Sequence, residues 1–198
     1  MNPNAQSHHF APLRPLQITR KVRCISCRIN VLSYLKRQYP GLYLVSSTTK
    51  VLTEFEQFRD ELKRDDFRYV VPDFRLNKRF EDLHTLTDEE KAKVEFLCNE
   101  CCWFGCKERK VCYEDVSRKA LGIKAPDHRC TAPESEQGYR FSKAMSNPGF
   151  IGVDAIKDVY LPMGFSNFKI EGRGLGSALV LSSFIISLHF LLTSIGVT

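Results

Sequence analysis

Three short apolar segments recur along the chain at a constant spacing. They occupy residues 42–46, 68–72 and 94–98, so that each begins 26 residues after the one before. Apolar runs of this length, bounded by polar and turn-forming residues, are typical of buried strands. A strand and a helix that returns the chain to the next parallel strand need about this many residues. The spacing therefore predicts a repeated strand–helix unit.

Helical patterns fill the intervals between these segments. Residues 51–64 carry apolar side chains at helical spacing, and Thr53 with Glu56 has the form of a capping box. Thr87 with Glu90 has the same form before the third strand. A further helix is expected before the first strand, with Ile29 on its apolar face and its end at residues 40–41. Strands thus alternate with helices, as in parallel sheets covered on both faces.

The second half of the chain continues this pattern less regularly. A helix is predicted over residues 108–121, ending at Gly122, and a shorter one over residues 154–161. Residues 123–149 are rich in Pro, Gly and Ser and are expected to form a long loop. Residues 167–171 predict a fourth strand. The fold class is therefore α/β, with about four parallel strands and covering helices.

Polar residues follow each predicted strand. Because parallel strands deliver their carboxyl ends to one rim, where ligands of such folds gather, these residues are expected to converge. The candidates for catalysis are Asp73, Glu100, Glu171 and Arg173. Ser47, Thr48 and Asn77 are interpreted as caps of the next helices instead.

Cysteines are the strongest chemical signal in the sequence. Five of the eight fall within residues 94–112, and thiolates at short spacings suit zinc or an iron–sulfur cluster. The preferred ligand set is Cys102, Cys106, Cys112 and Cys130. Lys107, Arg109 and Lys110 are expected to lower the pKa of the neighbouring thiols. The alternative is that these are free, partly buried cysteines that pack as small hydrophobic side chains.

Charge is distributed unevenly. The net charge is +6, and no acidic residue precedes Glu54. Residues 1–28 are expected to form a basic irregular arm, which either binds RNA or an anionic surface or is a solvated tail. This arm contains no apolar core of a secretory signal, so a cytoplasmic location is expected. In a reducing compartment, metal or redox chemistry is favoured over disulfides.

The segment Phe168-Lys-Ile-Glu-Gly-Arg173 resembles the Lys-Ile-Glu-Gly-Arg signature of the collagenase-like peptidase family U thirty-two. The motifs at residues 46–48, 71–73 and 99–106 occur in an order similar to that of a cysteine-rich bacterial branch of this family. The resemblance implies a partial (β/α) TIM-type barrel over residues 29–182, with a cysteine-rich insert at residues 98–130. It also implies that Glu171 and Arg173 lie at the active site and that the four cysteines bind a four-iron cluster.

Residues 174–198 contain no charged side chain. The segment is long enough for a membrane anchor, but a truncated or frame-disrupted gene product is the favoured interpretation. The apolar tail is assigned to residues 183–198. A barrel with strands missing exposes sheet edges, which predicts a homodimer through these edges.

These observations predict an enzyme, or the remnant of one, with an iron–sulfur cluster that acts in redox or hydroxylation chemistry. The substrate would be RNA or a small aromatic molecule. One alternative is a peptidase on collagen-like or other peptides. Another is a non-enzymatic module that is stabilised by zinc and binds RNA.

Overall fold

The computed structural model describes residues 23–26, 29–127, 130–133, 135 and 141–171. These form five strands: β1 (Arg23–Ser26), β2 (Tyr43–Ser46), β3 (Tyr69–Val70), β4 (Glu95–Leu97) and β5 (Asn167–Lys169). The α-helices are α1 (Ile29–Gln38), α2 (Phe55–Leu62), α3 (Phe80–His84), α4 (Asp88–Lys93), α5 (Arg109–Ala120), α6 (Phe141–Met145) and α7 (Val153–Ala155). Turns of 3-10 helix lie at Thr48–Lys50 and Phe74–Leu76, and α7 continues into a π-helical turn, Ile156–Tyr160.

The strands lie side by side in chain order, and every pair is parallel. β1 pairs with β2, β2 with β3, and β4 with β5. A single parallel bridge between Val70 and Val94 connects the two sheets. Because helices separate the strands in sequence, each connection is a crossover of the strand–helix–strand type. The carboxyl ends of the strands therefore face the same way.

The four strands predicted from the apolar runs are confirmed in position, although each is shorter than its run. The prediction that residues 1–28 form an irregular arm is wrong at its carboxyl end, since β1 pairs with β2 from Arg23 to Ser26. This strand has only four residues and is flanked by basic ones, so its sequence lacks the apolar run that marks the others. Residues 1–22 lie outside the described part of the chain.

The two predicted capping boxes have different outcomes. Thr87 caps α4, because its side chain accepts from the Glu90 amide while the Glu90 side chain accepts from the Thr87 amide. The box at Thr53 does not form, since α2 begins one residue later with Glu54 at its N-cap.

The predicted helix over residues 108–121 is α5, and Gly122 follows it with a φ of 70°, the left-handed conformation that commonly ends a helix. The prediction that residues 123–149 form a loop is wrong at residues 141–145, which form the helix α6.

Both faces of β2, β3 and β4 pack against apolar side chains. On one face Leu44, Val70 and Phe96 pack with side chains of the helices in the main core. Phe96 lies at its centre, with ring centroids 5.0 Å from Tyr160 and 5.1 Å from Phe165. The opposite face carries a smaller apolar cluster, which consists of Val45, Val71 and Leu97 with Tyr43 and Tyr69 packed against it. Alternate residues along β2, β3 and β4 thus point into two apolar layers, as expected for a parallel sheet.

Candidate functional site

Acidic residues follow three neighbouring strands at their carboxyl ends. Asp73 lies just beyond β3, Glu100 beyond β4 and Glu171 beyond β5. The side chains of Asp73 and Glu100 are almost wholly buried, at 0% and 6% exposure, whereas Glu171 is exposed. The predicted convergence is therefore found for these three residues. Arg173, the fourth candidate, lies outside the described residues.

Arg109, the first residue of α5, occupies the centre of this rim. Its guanidinium donates to Glu100 at 2.5 Å and lies 3.7 Å from Asp73, and its side chain is only 2% exposed. It also donates to the Tyr113 hydroxyl at 2.8 Å. A buried charge is tolerated where opposite charges and hydrogen bonds surround it. Burial by itself lowers the pKa of Arg109, but its charged neighbours, above all Glu100, outweigh this effect and raise the pKa above its usual value. Two of its nitrogens, Nε and Nη1, have no hydrogen-bond partner among the described residues.

Asp73 has a second role as the cap of the 3-10 turn that follows it. Its carboxylate accepts from the Arg75 amide at 3.1 Å and from the Arg75 side chain at 2.7 Å. Arg75 reaches onward to the carbonyl of Cys106 at 3.0 Å. Asp73 and Glu100 are thus committed to arginines, and this arrangement suits them to hold Arg109 in place rather than to abstract protons.

Side-chain amides fix the ends of the strands and the cysteine loop. Asn99 joins β4 to β5 by accepting from the Glu171 amide at 2.7 Å and donating to the Glu171 carbonyl at 2.9 Å. Asn147 donates to the Cys102 carbonyl at 2.8 Å. Asn77 donates to the carbonyls of Leu97 and Gly149, at 3.0 and 2.8 Å, rather than capping a helix with its side chain.

The interpretation of Ser47 as a cap is confirmed, since its hydroxyl accepts from the Thr49 amide at 3.2 Å. Thr48 is buried, and its hydroxyl has no partner among the described residues. The segment after β2 therefore contributes a structural turn to the rim. The chemical groups of the rim come from the loops after β3, β4 and β5.

The cysteines form a graded series from buried to exposed. Cys98 is buried at the end of β4, Cys101, Cys102, Cys106 and Cys112 are half-buried, and Cys130 is exposed. Burial raises the pKa of the Cys102 thiol to about 12, and the attraction of Arg109 is too weak to offset it. Burial likewise raises the pKa of Cys101 to about 11. The expectation that basic neighbours lower these pKa values is therefore wrong for the thiols of Cys101 and Cys102.

The four cysteines of the expected ligand set are electrostatic neighbours. The pKa of Cys112 is raised by burial and then by the charges of Cys130 and Cys106, while Cys106 also acts on Cys102. Cys101 instead responds to burial and to Glu100, Glu171 and Lys143. Within the described residues, no three His, Cys, Asp or Glu side chains are already grouped as a metal site. Thiolate donors near one another suit zinc or iron–sulfur binding, and the loop would have to contract to bring them together.

Several residues of the rim were missed by the sequence reasoning. Arg109 was considered only as a neighbour of the thiols, and Tyr113 and Asn147 were not considered. The signal that could have identified Arg109 is its place one turn before Tyr113 on the same helix face, shortly after an acidic residue that ends a strand. Amides such as Asn147 carry no local signal, since their partners are distant in sequence.

No family model, no curated protein and no solved structure matches this chain. Among the described residues, no helix is long and apolar enough to cross a membrane. Residues 174–198, for which an anchor was considered, lie outside that range.

Proposed function

We propose that the chain is a partial (β/α) barrel of the collagenase-like peptidase family U thirty-two that binds an iron–sulfur cluster beside a charged site. Five parallel strands adjacent in chain order support the barrel, because consecutive strands of such a barrel are neighbours. The small apolar layer around Val45, Val71 and Leu97 supports it further, since the inward-facing residues of a barrel form a packed core. The protein is proposed to act in the cytoplasm.

Cys102, Cys106, Cys112 and Cys130 would hold the cluster. The observation that carries this assignment is that Cys102, Cys106 and Cys112 fall within eleven residues and are all half-buried. The loop that bears Cys102 and Cys106 is anchored at both residues, by Asn147 and Arg75. A cluster on four thiolates supplies electron transfer, while the protein determines its position and surroundings.

The charged site beside these cysteines would bind and orient the substrate. Arg109 is fixed between Asp73 and Glu100, and its Nη1 is buried without a hydrogen-bond partner among the described residues, so it could donate to an oxygen of a bound molecule only if the rim opens. Glu171 is the exposed acid of the rim and is the candidate for proton transfer. The proposed reaction is a redox or hydroxylation step on RNA or on a small aromatic substrate.

Anaerobic reconstitution with iron and sulfide tests the ligand assignment. We expect about four irons and four sulfides per chain, which is the content of a cluster on four cysteines. A variant in which Cys102, Cys106, Cys112 and Cys130 are all replaced by Ala should retain none. Cys101→Ala is the matched control, because this half-buried cysteine lies in the same loop but outside the ligand set.

Metal content separates the alternatives. Iron that is absent from the wild type, or bound equally by the four-cysteine variant, would contradict the cluster. One equivalent of zinc, together with unfolding on chelation, would indicate the zinc-stabilised module instead. Peptide hydrolysis that depends on Glu171 and persists without iron would indicate a peptidase.

A further inference from the structure

A cleft lies between the turn after β2 and the helix α5. Its volume is about 740 Å³, which is within the range of small-molecule sites. One wall consists of Thr49, Lys50 and Leu52, and the other is a face of α5. The α5 residues of this wall are Lys110, Tyr113, Glu114, Val116, Ser117, Arg118 and Ala120.

The charged residues that line this cleft are mostly cationic. Lys50, Lys110 and Arg118 contribute three positive charges, and Glu114 is the one acidic residue in the lining described here. Lys50 already pairs with Glu61, whereas Lys110 and Arg118 make no ion pair with a described residue. Cations held in a concave surface attract anions more strongly than the same charges on a convex one. The charge of the cleft therefore favours an anionic ligand.

The walls also offer apolar surface. Leu52, Val116 and Ala120 line the cleft together with the ring of Tyr113. A ligand that fits needs an apolar body and an oxygen-rich anionic group.

The backbone of the first wall is held in an uncommon conformation. Val51 has a φ of 53°, in the left-handed region that β-branched residues rarely adopt. It closes the 3-10 turn by donating its amide to the Thr48 carbonyl at 3.0 Å. Such local strain persists only where the surroundings hold it, and it is concentrated at binding sites. Val51 lies between Lys50 and Leu52, which both line the cleft.

We propose that this cleft binds a small organic anion, a phosphate or carboxylate carried on a flat apolar body. The body would lie between Leu52 and the α5 face, and the anionic group would contact Lys110 or Arg118, which lie about 12 Å apart along the helix. This inference is independent of the metal site, since none of the four cysteines lines the cleft.

Isothermal titration calorimetry on the full metal-free chain tests the proposal with 1-naphthyl phosphate as the probe. Two further probes, 1-naphthol and inorganic phosphate, carry the ring and the charge separately. A third, 1-naphthoate, distinguishes a carboxylate from a phosphate preference. We expect the two naphthyl anions to bind at least about tenfold more tightly than naphthol or phosphate, because both charge and apolar contact contribute.

Two variants locate the binding. The double substitution Lys110→Glu with Arg118→Glu reverses the charge of the cleft, and Ser117→Trp fills it; all three positions are exposed, so the fold is retained. Each is expected to weaken binding of naphthyl phosphate by about tenfold or more. Lys124→Glu, an exposed cation outside the cleft, should change binding less than about twofold. Naphthyl phosphate that fails to bind, binds no better than phosphate, or binds both variants as it binds the wild type would overturn the proposal.

Discussion

Arg109 is the residue on which the charged centre depends. It neutralises Asp73 and Glu100, and its guanidinium lies over the ring of Phe74 with a distance of 4.7 Å to the centroid. Replacement by Met would leave two carboxylates buried without this partner. Breaking a buried ion pair in this way costs about 3–5 kcal/mol. We therefore expect Arg109→Met to lower the free energy of unfolding by that amount in urea titrations.

Arg118→Met is the matched control for this prediction. Arg118 lies on the same helix but is exposed, and its side chain makes no ion pair with a described residue. Substitutions at such positions usually change stability by less than about 0.5 kcal/mol. Equal losses in the two variants would show that the effect comes from helix propensity and not from the buried charges.

The thiols offer a second prediction at this scale. Burial raises the pKa of Cys98 and Cys102 to about 12, so at pH 8 only a very small fraction of either thiol is ionised. Because the thiolate is the nucleophile, iodoacetamide should modify exposed Cys130 first and these two last in the metal-free protein. The rate at Cys102 should rise about tenfold per pH unit from pH 8 to 10.

Mass spectrometry of peptides gives the individual rates. Protein unfolded in urea is the reference, in which the cysteines are expected to react alike. If Cys102 in the folded protein reacted as fast as Cys130, the burial of its thiol would be contradicted.

The role of Arg109 could not be predicted because α5 reverses the usual pattern. Its Arg109 and Asp115 are buried, while Val111 and Val116 are 51% and 60% exposed. A hydrophobic periodicity argument assumes that apolar residues face the core. Here the partners that make burial of Arg109 possible come from the ends of two strands, at sequence distances of nine and thirty-six residues.

At the scale of elements, the capping boxes allow a direct comparison. Thr87→Ala removes a side-chain cap that α4 uses, and should cost about 1 kcal/mol. Thr53→Ala removes a threonine whose sequence context is similar but whose side chain does not cap α2. It is expected to change the free energy of unfolding by less than about 0.5 kcal/mol. Thermal and urea unfolding measure both, and equal effects would indicate that Thr53 caps in solution.

Glu61 attaches α2 to the end of β2. It accepts from the Ser46 hydroxyl at 2.7 Å and pairs with Lys50. Burial raises its pKa, but the hydrogen bonds from Lys50 and Ser46 and the charges of Lys50 and Arg64 outweigh this effect, so that the pKa is lowered overall. A lowered pKa in the folded state stabilises the protein above the pKa of the unfolded chain, and this contribution is lost as the pH falls through the folded value.

Glu61→Gln should therefore flatten the acid dependence of stability. At pH 7 the substitution should cost about 1.5–3 kcal/mol, the usual contribution of a hydrogen bond to a charged group. Between pH 5 and 3 the free energy of unfolding should decline less steeply than in the wild type. Asp60→Asn is the control on the same helix, because Asp60 is exposed and pairs only with Lys63 among the described residues. A decline as steep as that of the wild type would contradict the proposed role of Glu61.

Elements marked by apolar runs were predictable, and those that depend on partners were not. The runs at residues 42–46 and 94–98 are buried on both faces. Such strands have apolar side chains at successive positions, because neighbouring residues point to opposite faces. β1 lacks such a run and is recognisable only through its pairing with β2. The helix α6 has five residues and lies in a segment of loop-like composition, which local propensity cannot resolve.

At the scale of the whole molecule, the cysteine loop is coupled to the core. Phe104 of this loop packs against Phe74, with ring centroids 5.8 Å apart. The loop backbone is bound by Arg75 and Asn147. Gly149, two residues after Asn147, approaches Phe74 so closely that a Cβ there would lie 2.5 Å from its carbonyl oxygen. The loop that carries Cys102 and Cys106 is therefore attached to the packed part of the fold.

This coupling predicts that the loop and the fold unfold together. Trp103, the single tryptophan of the chain, lies in the loop, so its fluorescence reports on the loop while circular dichroism reports on the helices. The two urea transitions should coincide for the metal-free wild type, as expected of a cooperative unit. In Asn147→Ala the Trp103 transition should move to a lower urea concentration and separate from the circular dichroism transition. The reason is that the hydrogen bond from the Asn147 side chain to the Cys102 carbonyl is lost. Ser146→Ala is the adjacent control, since the Ser146 hydroxyl donates to Lys143 and not to the loop. Separate transitions in the wild type would mean that the loop is not held by the core, and that the cysteines come together only when a metal binds.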